Sequence, residues 1–392
     1  MDRIAFRQSW RSCGSWYLYE NQKIQDIMMN KVAGILRVKN DGMFIERCIE
    51  SCIDALDELI VVYNDCTDNS VAEIDKMVAR YPNKIKRYEY PHRILGMNIT
   101  REEYEVAKNL PEGHPSLIST YNNFALGKVT CDYAVKIDAD QIYFTEQLKK
   151  WCDFVRECKP QKKTLGVIIG KIFSKYISGY WILSTKYGKI VHLLPTWLLR
   201  IFYPAYISYA KYLFSYDKAM LGLSGINVLE TDETLISAGH SLDGFKSLPS
   251  FNGCGDTVIF KMNCNPRFEK FIIPEYNPPY TKMYSVVEAF HLPLKIMYIG
   301  YFWKHLSIMR PGLVDKALAL HQADDGAYLP SCKFKKIGYS KIVKQASGCI
   351  FPLDQKILFQ FVYKANKRQL FDSLEKLALR ERRKNQEHSD LL

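Results

Sequence analysis

Apolar residues along this chain follow two rhythms. Val32-Ala33-Gly34-Ile35-Leu36-Arg37-Val38 and Glu58-Leu59-Ile60-Val61-Val62-Tyr63 are short, nearly unbroken runs of the kind that buried parallel strands require. Phe44, Ile45, Cys48, Ile49, Cys52 and Ile53, and later Val71, Ile74, Met77 and Val78, recur instead at helical spacing. Strand, helix, strand, helix predicts an α/β sheet with right-handed crossovers. A third strand should end near Tyr90-Pro91-His92-Arg93, and the charged stretch from Ile99 to His114 should be an exposed helix or insertion. Tyr133-Ala134-Val135-Lys136-Ile137 predicts a further buried strand, ending abruptly at Asp138-Ala139-Asp140.

Ligands of such sheets bind beyond the carboxyl ends of the strands. Three polar clusters fall there, Lys39-Asn40-Asp41, Asn64 through Ser70, and Asp138-Ala139-Asp140, so they should share one edge. Residues i and i+2 of a strand point to the same side, which would bring the carboxylates of Asp138 and Asp140 together. Two like charges there repel unless a cation lies between them or one is protonated. Hard oxygen donors with open space in front suit Mg²⁺ or Mn²⁺. The plainer alternative is a solvated acidic turn.

In the second half, Gly166 to Phe173 predicts another strand. From Lys175 to Tyr216, tyrosines and tryptophans interleave with lysines, and His192, Pro195, Arg200 and Pro204 interrupt the most apolar part, which argues against a transmembrane helix. This composition fits the headgroup level of an anionic membrane, or else a core or subunit interface. Ser250 to Phe260 reads as a glycine-containing loop leading to a helix start near Asp256, and Asp354 to Leu379 as an amphipathic helix.

Composition narrows the partners. A net charge of +12 over 392 residues, with a sequence pI of about 9.0, favours an anionic partner. No RNP, KH or helix-turn-helix pattern is present, which turns the reading away from nucleic acid. The 11 cysteines include no C-x-x-C pair, so neither zinc nor a disulfide framework is expected, and Cys48 and Cys52 should be small buried residues. Met1 to Asn30 lacks an apolar signal core, which predicts a cytoplasmic protein, with the aromatic and basic segment allowing contact at the inner face of the membrane.

The runs Ile35 to Asp41 and Ile60 to Ser70 resemble the opening of GT-A fold glycosyltransferases of the family-2-like type, including bacterial surface-polysaccharide enzymes. Ser119 to Leu126, followed by Tyr133 to Asp140, is similar to the segment leading into that family's D-x-D motif. The resemblance covers about Lys31 to Ile142. It implies a nucleotide-sugar donor, with Asp138 and Asp140 holding Mn²⁺ or Mg²⁺ at the diphosphate. Asn40, Asp65, Asp68 and Asn123, with Asp138, are expected to line the nucleotide side, and Arg93, where the third strand should end, is a candidate diphosphate contact or else a solvated loop residue. The family's acidic residue after the second strand is replaced by Tyr63, so Asn64, Asp65, Asp68 or a stacked Tyr63 takes that place. By the same resemblance Asp256 is the catalytic base of an inverting displacement. His291 is an additional metal ligand, with His305 as its competitor.

The expected architecture is a Rossmann-like mixed sheet with flanking helices and C-terminal helical additions. Residues 1–30 form a lead-in and 31–295 a catalytic domain, divided into a nucleotide-sugar half (31–142) and an acceptor half (143–295) with an aromatic and basic insertion at 170–218. Residues 296–392 form a helical region and tail. The expected reaction transfers a sugar to a surface glycan or its lipid-linked precursor. Its rivals are a nucleotidyltransferase and a catalytically silent, membrane-associated carbohydrate-binding scaffold.

Overall fold

Val32, Ala33, Leu36, Leu59 to Val62, Ala134, Val135 and Ile137 lose all or nearly all contact with water. Each such large apolar side chain contributes about 1.5–3 kcal/mol on burial. The computed structural model describes residues 29–97, 99–187, 194–238, 241–242, 245–246, 249–253, 257–273, 284–324, 326–345 and 353–389. Its first half alternates β1 (Val32–Val38), α1 (Gly42–Cys52), β2 (Glu58–Tyr63), α2 (Ser70–Arg80) and β3 (Ile85–Glu89). Then come α3 (Arg101–Asn109), α4 (Ile118–Leu126), β4 (Tyr133–Asp138), β5 (Gln141–Tyr143) and α5 (Thr145–Arg156). β3, β2, β1 and β4 lie side by side and parallel, as the two rhythms predict. Cys48 and Cys52 are free, buried thiols on the inner face of α1.

The charged stretch after β3 becomes α3, which starts with a reciprocal cap: Thr100 Oγ1 accepts from Glu103 N at 3.2 Å, and Glu103 Oε2 accepts from Thr100 N at 3.1 Å.

Beyond α5, the predicted strand at 166–173 is corrected. It lies in a helix, α6 (Leu165–Tyr187), which packs against α7 (Thr196–Ser215). Length overrides β-branched content here, because the apolar pattern continues for more than five turns. The two helices run antiparallel, with Gly170 against Ala205: a Cβ at Gly170 would lie 2.0 Å from the Ala205 carbonyl oxygen. Among the described residues no helix is long and apolar enough to cross a membrane.

The chain then re-enters the sheet through β6 (Ala219–Glu230), β7 (Thr234–Ser237) and β8 (Val258–Lys261). β8 lies antiparallel between β4 and β6. The apolar residues after Asp256 thus form a strand rather than the expected helix. β9 (Arg267–Ile272) and β10 (Val286–His291) make a separate antiparallel ribbon. β11 (Lys295–His305) runs parallel to β6 and antiparallel to β5, with Tyr301, Phe302 and Trp303 fully buried. The stretch after residue 295 is therefore a central strand, and the largely helical region begins only after His305. Two register shifts interrupt β11 between Tyr298 and Trp303, and Gly300 there has φ 124°.

α8 (Leu313–Ala323) and β12 (Tyr328–Pro330) close the edge beside β7, and α9 (Leu353–Ser389) packs on β11, α6 and α7. α9 supplies Gln369, whose amide accepts from Tyr301 N at 3.1 Å and donates to Tyr301 O at 2.9 Å, satisfying the backbone that the bulge frees.

α9 is also tied to the sheet by charge. Lys304, only 2% exposed, contacts Glu230 at 2.6 Å and Glu381 at 2.7 Å, and Arg47 of α1 bridges the same two carboxylates at 2.8 Å each. A cleft of about 1030 Å³ opens beside this network, and none of the predicted site residues lines it. Burial alone would raise the Glu230 carboxyl, but Arg47 and Lys304 outweigh it and hold it at about 2. A carboxyl depressed in the folded state stabilises above its unfolded value and loses that contribution as pH falls through the folded one. Glu230 should therefore contribute on the order of 3 kcal/mol near neutrality, lost between about pH 4.5 and pH 2. Urea unfolding of wild type and Glu230→Gln across this range checks it: the variant should be less stable at pH 7, and the gap should close in acid.

Candidate active site

The loops after β1 and β2 are knitted together by their own polar side chains. Asn40 and Asp65 adopt left-handed backbone angles, φ 56° and 45°, which Asn and Asp tolerate better than most residues. Asn40 Oδ1 accepts from Thr67 N at 2.7 Å. Asp68 accepts from Gly42 N and from Ser70 N, both at 2.9 Å, and Ser70 Oγ accepts from Asp41 N at 2.9 Å. Partial burial opposes the Asp68 charge, but the Ser70 and Gly42 bonds prevail and hold its carboxyl below the ordinary value. Asp68 thus holds the starts of both helices and Asn40 ties the two loops together, while Asp65 is exposed and 3.5 Å from Lys39 Nζ. Of the other candidates for this region, Asn64 is buried and donates to the carbonyls of Tyr90 and His92, and Arg93 pairs with Glu103 at the exposed cap of α3.

Asn123 is engaged by the backbone of β9. Its amide oxygen accepts from Phe268 N and its nitrogen donates to Phe268 O, both at 2.8 Å, so the side chain clips β9 to α4 as a strand neighbour would. Its neighbours reach the strand ends: Asn122 accepts from Arg37, and Tyr121 Oη donates to Val62 O at 2.7 Å.

Asp138 closes β4 in register with Arg37 of β1. Adjacent strands in register present neighbouring side chains on one face, and Arg37 Nη2 lies 3.3 Å from Asp138 Oδ1. The same guanidinium donates to Asn122 Oδ1 at 2.5 Å and to Glu288 Oε1, on β10, at 2.9 Å. Burial works against the Arg37 charge, but Glu288 and Asp138 outweigh it and raise its pKa. Gln141 donates to the second oxygen of Asp138 at 3.1 Å, and Lys136 stands at 3.9 Å from the first.

Asp140 is more deeply buried and has different partners. Arg310, in the turn before α8, bridges Asp140 Oδ2 at 2.8 Å and Asp41 Oδ1 at 2.7 Å. His305 Nε2 lies 3.3 Å from Asp140 Oδ1. Burial would raise the Asp140 carboxyl, yet His305 and Arg310 hold it well below the usual carboxylate range. Asp41 goes the other way: burial raises it, and Arg310 only partly compensates.

Hydrogen bonding sets the His305 tautomer. Asn227 donates its amide N–H to Pro249 O at 2.6 Å, so its oxygen faces His305 Nδ1, 2.6 Å away, and that nitrogen carries a proton. Nε2 is the nitrogen left facing Asp140, 3.3 Å from Oδ1, and would serve an ion once unprotonated, with Nδ1 oriented as in metal-bound histidines. β11 delivers this residue by register, with His305 opposite Gln141 of β5 and Asn227 of β6.

His291 is placed elsewhere. It ends β10 in the separate ribbon, half-exposed, with Nδ1 3.7 Å from Glu269. The competitor His305 takes the place beside Asp140 that was expected of His291. Asp256 lies outside the described residues. β8, which begins at Val258, starts at the end of the sheet where β4 finishes.

Among the described residues no three His, Cys, Asp or Glu side chains are grouped so that they could hold a metal ion between them. Asp140 and His305 are the pair that stands together, and water and phosphate oxygens would have to complete a site for Mg²⁺ or Mn²⁺ there. Arg310 holds one oxygen of Asp140 and would yield it to such an ion.

Sequence reading gave no role to Arg37, Arg310 or Glu288. An arginine inside an apolar strand was the available signal for Arg37. Glu288 stands in the same short run as His291, and it is the residue of that run that reaches the cluster.

Comparison with known proteins bears on the first half of the chain. Residues 13–195, just under half, match the model of a family described as beta-1,4-N-acetylgalactosaminyltransferase (CgtA). Comparison with curated proteins gave no match. Among solved structures, glucosyl-3-phosphoglycerate synthase from Mycobacterium tuberculosis, in complex with Mn²⁺, UDP and glucosyl-3-phosphoglycerate, is 21% identical over 29% of this chain, with a TM-score of 0.18. The same synthase with Mg²⁺ and UDP is 20% identical over the same share, also with a TM-score of 0.18. The overlap covers only 34% of the synthase in each case, and overlap at that score carries no argument about the site. β1 to β5 thus lie within the part of the chain that is similar in sequence to this transferase family.

Proposed function

We propose that the protein is a metal-dependent glycosyltransferase that moves a sugar from a nucleotide-sugar donor to a surface glycan or a lipid-linked precursor. The observation that carries this reading is the pairing of Asp140 with His305 and Arg310 at the carboxyl ends of the parallel strands, together with the Arg37–Asp138 pair at the ends of β1 and β4. Carboxylates and an oriented imidazole suit a divalent ion, and the two guanidiniums suit the oxygens of a diphosphate.

A divalent ion on Asp140 and His305 would neutralise charge on the departing nucleoside diphosphate. Asn227 keeps the imidazole in the ligating tautomer. Arg37, fixed by Glu288 and Asn122, holds Asp138 in place. Arg310 neutralises Asp41 and Asp140 before an ion binds and becomes free for a phosphate oxygen when the ion takes its place. Asp65 and Lys39, exposed on the loops after β1 and β2, remain on the nucleotide side, with Asn40 and Asp68 shaping that loop. Asp256, two residues before β8, is the proposed base that removes the acceptor proton in an inverting displacement. A lipid-linked acceptor would bring the protein to a membrane surface.

Calorimetric titration of UDP, GDP, CDP and CMP with and without Mn²⁺, followed by transfer assays with the corresponding sugars, tests the reading. One nucleotide should bind in a Mn²⁺-dependent manner. Asp140→Ala should lose that binding and at least ~10²-fold in turnover while staying folded. His305→Ala should weaken Mn²⁺ binding, whereas His291→Ala should leave it unchanged. Wild-type turnover in Asp140→Ala would remove the metal assignment.

Arg310 gives a second, thermodynamic prediction. In Arg310→Gln, Asp41 and Asp140 lose their shared guanidinium, so Tm without metal should fall, and the rise in Tm on adding Mn²⁺ should exceed that of wild type. Equal Mn²⁺ shifts in the two proteins would show that Arg310 and the ion do not share Asp140.

A further inference from the structure

The helices α6 and α7 are apolar on two sides. Their inner side, with Val167, Phe173, Ile177, Leu199, Tyr206 and Leu213, is buried in the core. Their outer side is apolar as well. Leu165, Ile168 and Ile172 recur at spacings of three and four along α6, and Leu165 and Ile172 are 72% and 65% exposed. Trp197, Arg200, Ile201 and Pro204 make the matching stripe on α7, with Trp197 and Ile201 63% and 61% exposed. A helix packed only against its own protein would be polar on that outer side.

Charge identifies the occupant. Between Cys158 and Tyr216 the chain carries nine Lys or Arg and no Asp or Glu. Exposed Lys171, Lys175 and Lys186 line α6. Beside α7, Arg200 joins Lys335, Lys367 and Arg368 around a basic cleft of about 530 Å³, where Asp372, 3.6 Å from Arg368, is the one acid among the described residues. Partial burial lowers the Lys367 pKa, and the neighbouring charges of Arg200 and Lys335 lower it further. A second copy of this chain would set one cationic, acid-free face against another. Neither helix is apolar enough to cross a bilayer.

We infer that the outer stripes of α6 and α7 form an interfacial docking surface for an anionic lipid bilayer. Leu165, Ile172, Trp197 and Ile201 enter the headgroup and acyl boundary, and the cleft at Arg200 and Lys367 receives lipid phosphate. Apolar insertion combined with several cations is what stable interfacial binding requires. The inference goes beyond the proposed reaction and does not depend on it, because its test contains neither donor nor acceptor.

The test is co-sedimentation of the full chain with vesicles of phosphatidylcholine alone or mixed with phosphatidylglycerol. Wild type should bind the mixed vesicles, weakly if at all the neutral ones, and less at high salt. Ile172→Glu with Ile201→Glu should weaken binding by at least ~10-fold. Both positions face solvent, so circular dichroism and Tm should match wild type, and the milder Ile172→Ser with Ile201→Ser should fall between. Arg200→Gln with Lys367→Gln should reduce the preference for phosphatidylglycerol. Absence of wild-type binding, or unchanged binding in the Glu variant, overturns the inference. So does a concentration-dependent dimer in light scattering that the Glu variant abolishes, which would make the face a contact between copies.

Discussion

Placing carboxylates where parallel strands end creates an electrostatic problem, and much of this structure depends on how that problem is met. Asp41 and Asp140 reach the same place from the ends of β1 and β4, and one guanidinium, Arg310, spans both. Like charges in a partly buried setting would otherwise push the two loops apart or force a proton onto one of them. Arg37 performs the same task for Asp138 and Glu288, which come from strands far apart in the sequence. Each cation therefore neutralises charge and also joins the first part of the chain to segments that arrive much later. The cluster is a chemical site and a fastening at once, as expected where charges are desolvated only in the company of partners.

The first half of the fold was legible because its elements are local. β1, β2 and β4 are apolar runs ended by polar loops, and α1 and α2 have helical spacing of the kind one layer against a sheet requires. The stretch at 166–173 was misread because a short β-branched run does not distinguish a buried strand from a piece of long helix; the pattern beyond Phe173 was the deciding signal. Residues 295–305 were placed at a boundary for a different reason. β11 is central only through pairing with β5 and β6, a long-range fact that no window of sequence contains.

The site divides along the same line. Asp138 and Asp140 were found because strand ends are predictable and ligands gather there. Asn123, Asn40 and Asp68 lie in the right region but are used by the backbone around them, and a polar side chain near a site is often a component of its loops. His305, Arg310 and Glu288 are brought in by tertiary contacts across more than 160 residues, so composition and spacing could indicate them only as candidates.

The bulge in β11 gives the C-terminal helix a say in the chemistry of the strand ends. Side chains of a strand alternate between faces, so β11 has a reading frame, and its two register shifts set that frame for Lys304 and His305. As built, the ammonium faces Glu230 and Glu381 while the imidazole faces Asp140. Losing one residue between Tyr298 and Trp303 would exchange the two, putting a permanent cation at the carboxylates and the imidazole in the ion network. Gln369 of α9 holds the bulged backbone at Tyr301, so a helix with no residue at the strand-end cluster keeps that frame in phase.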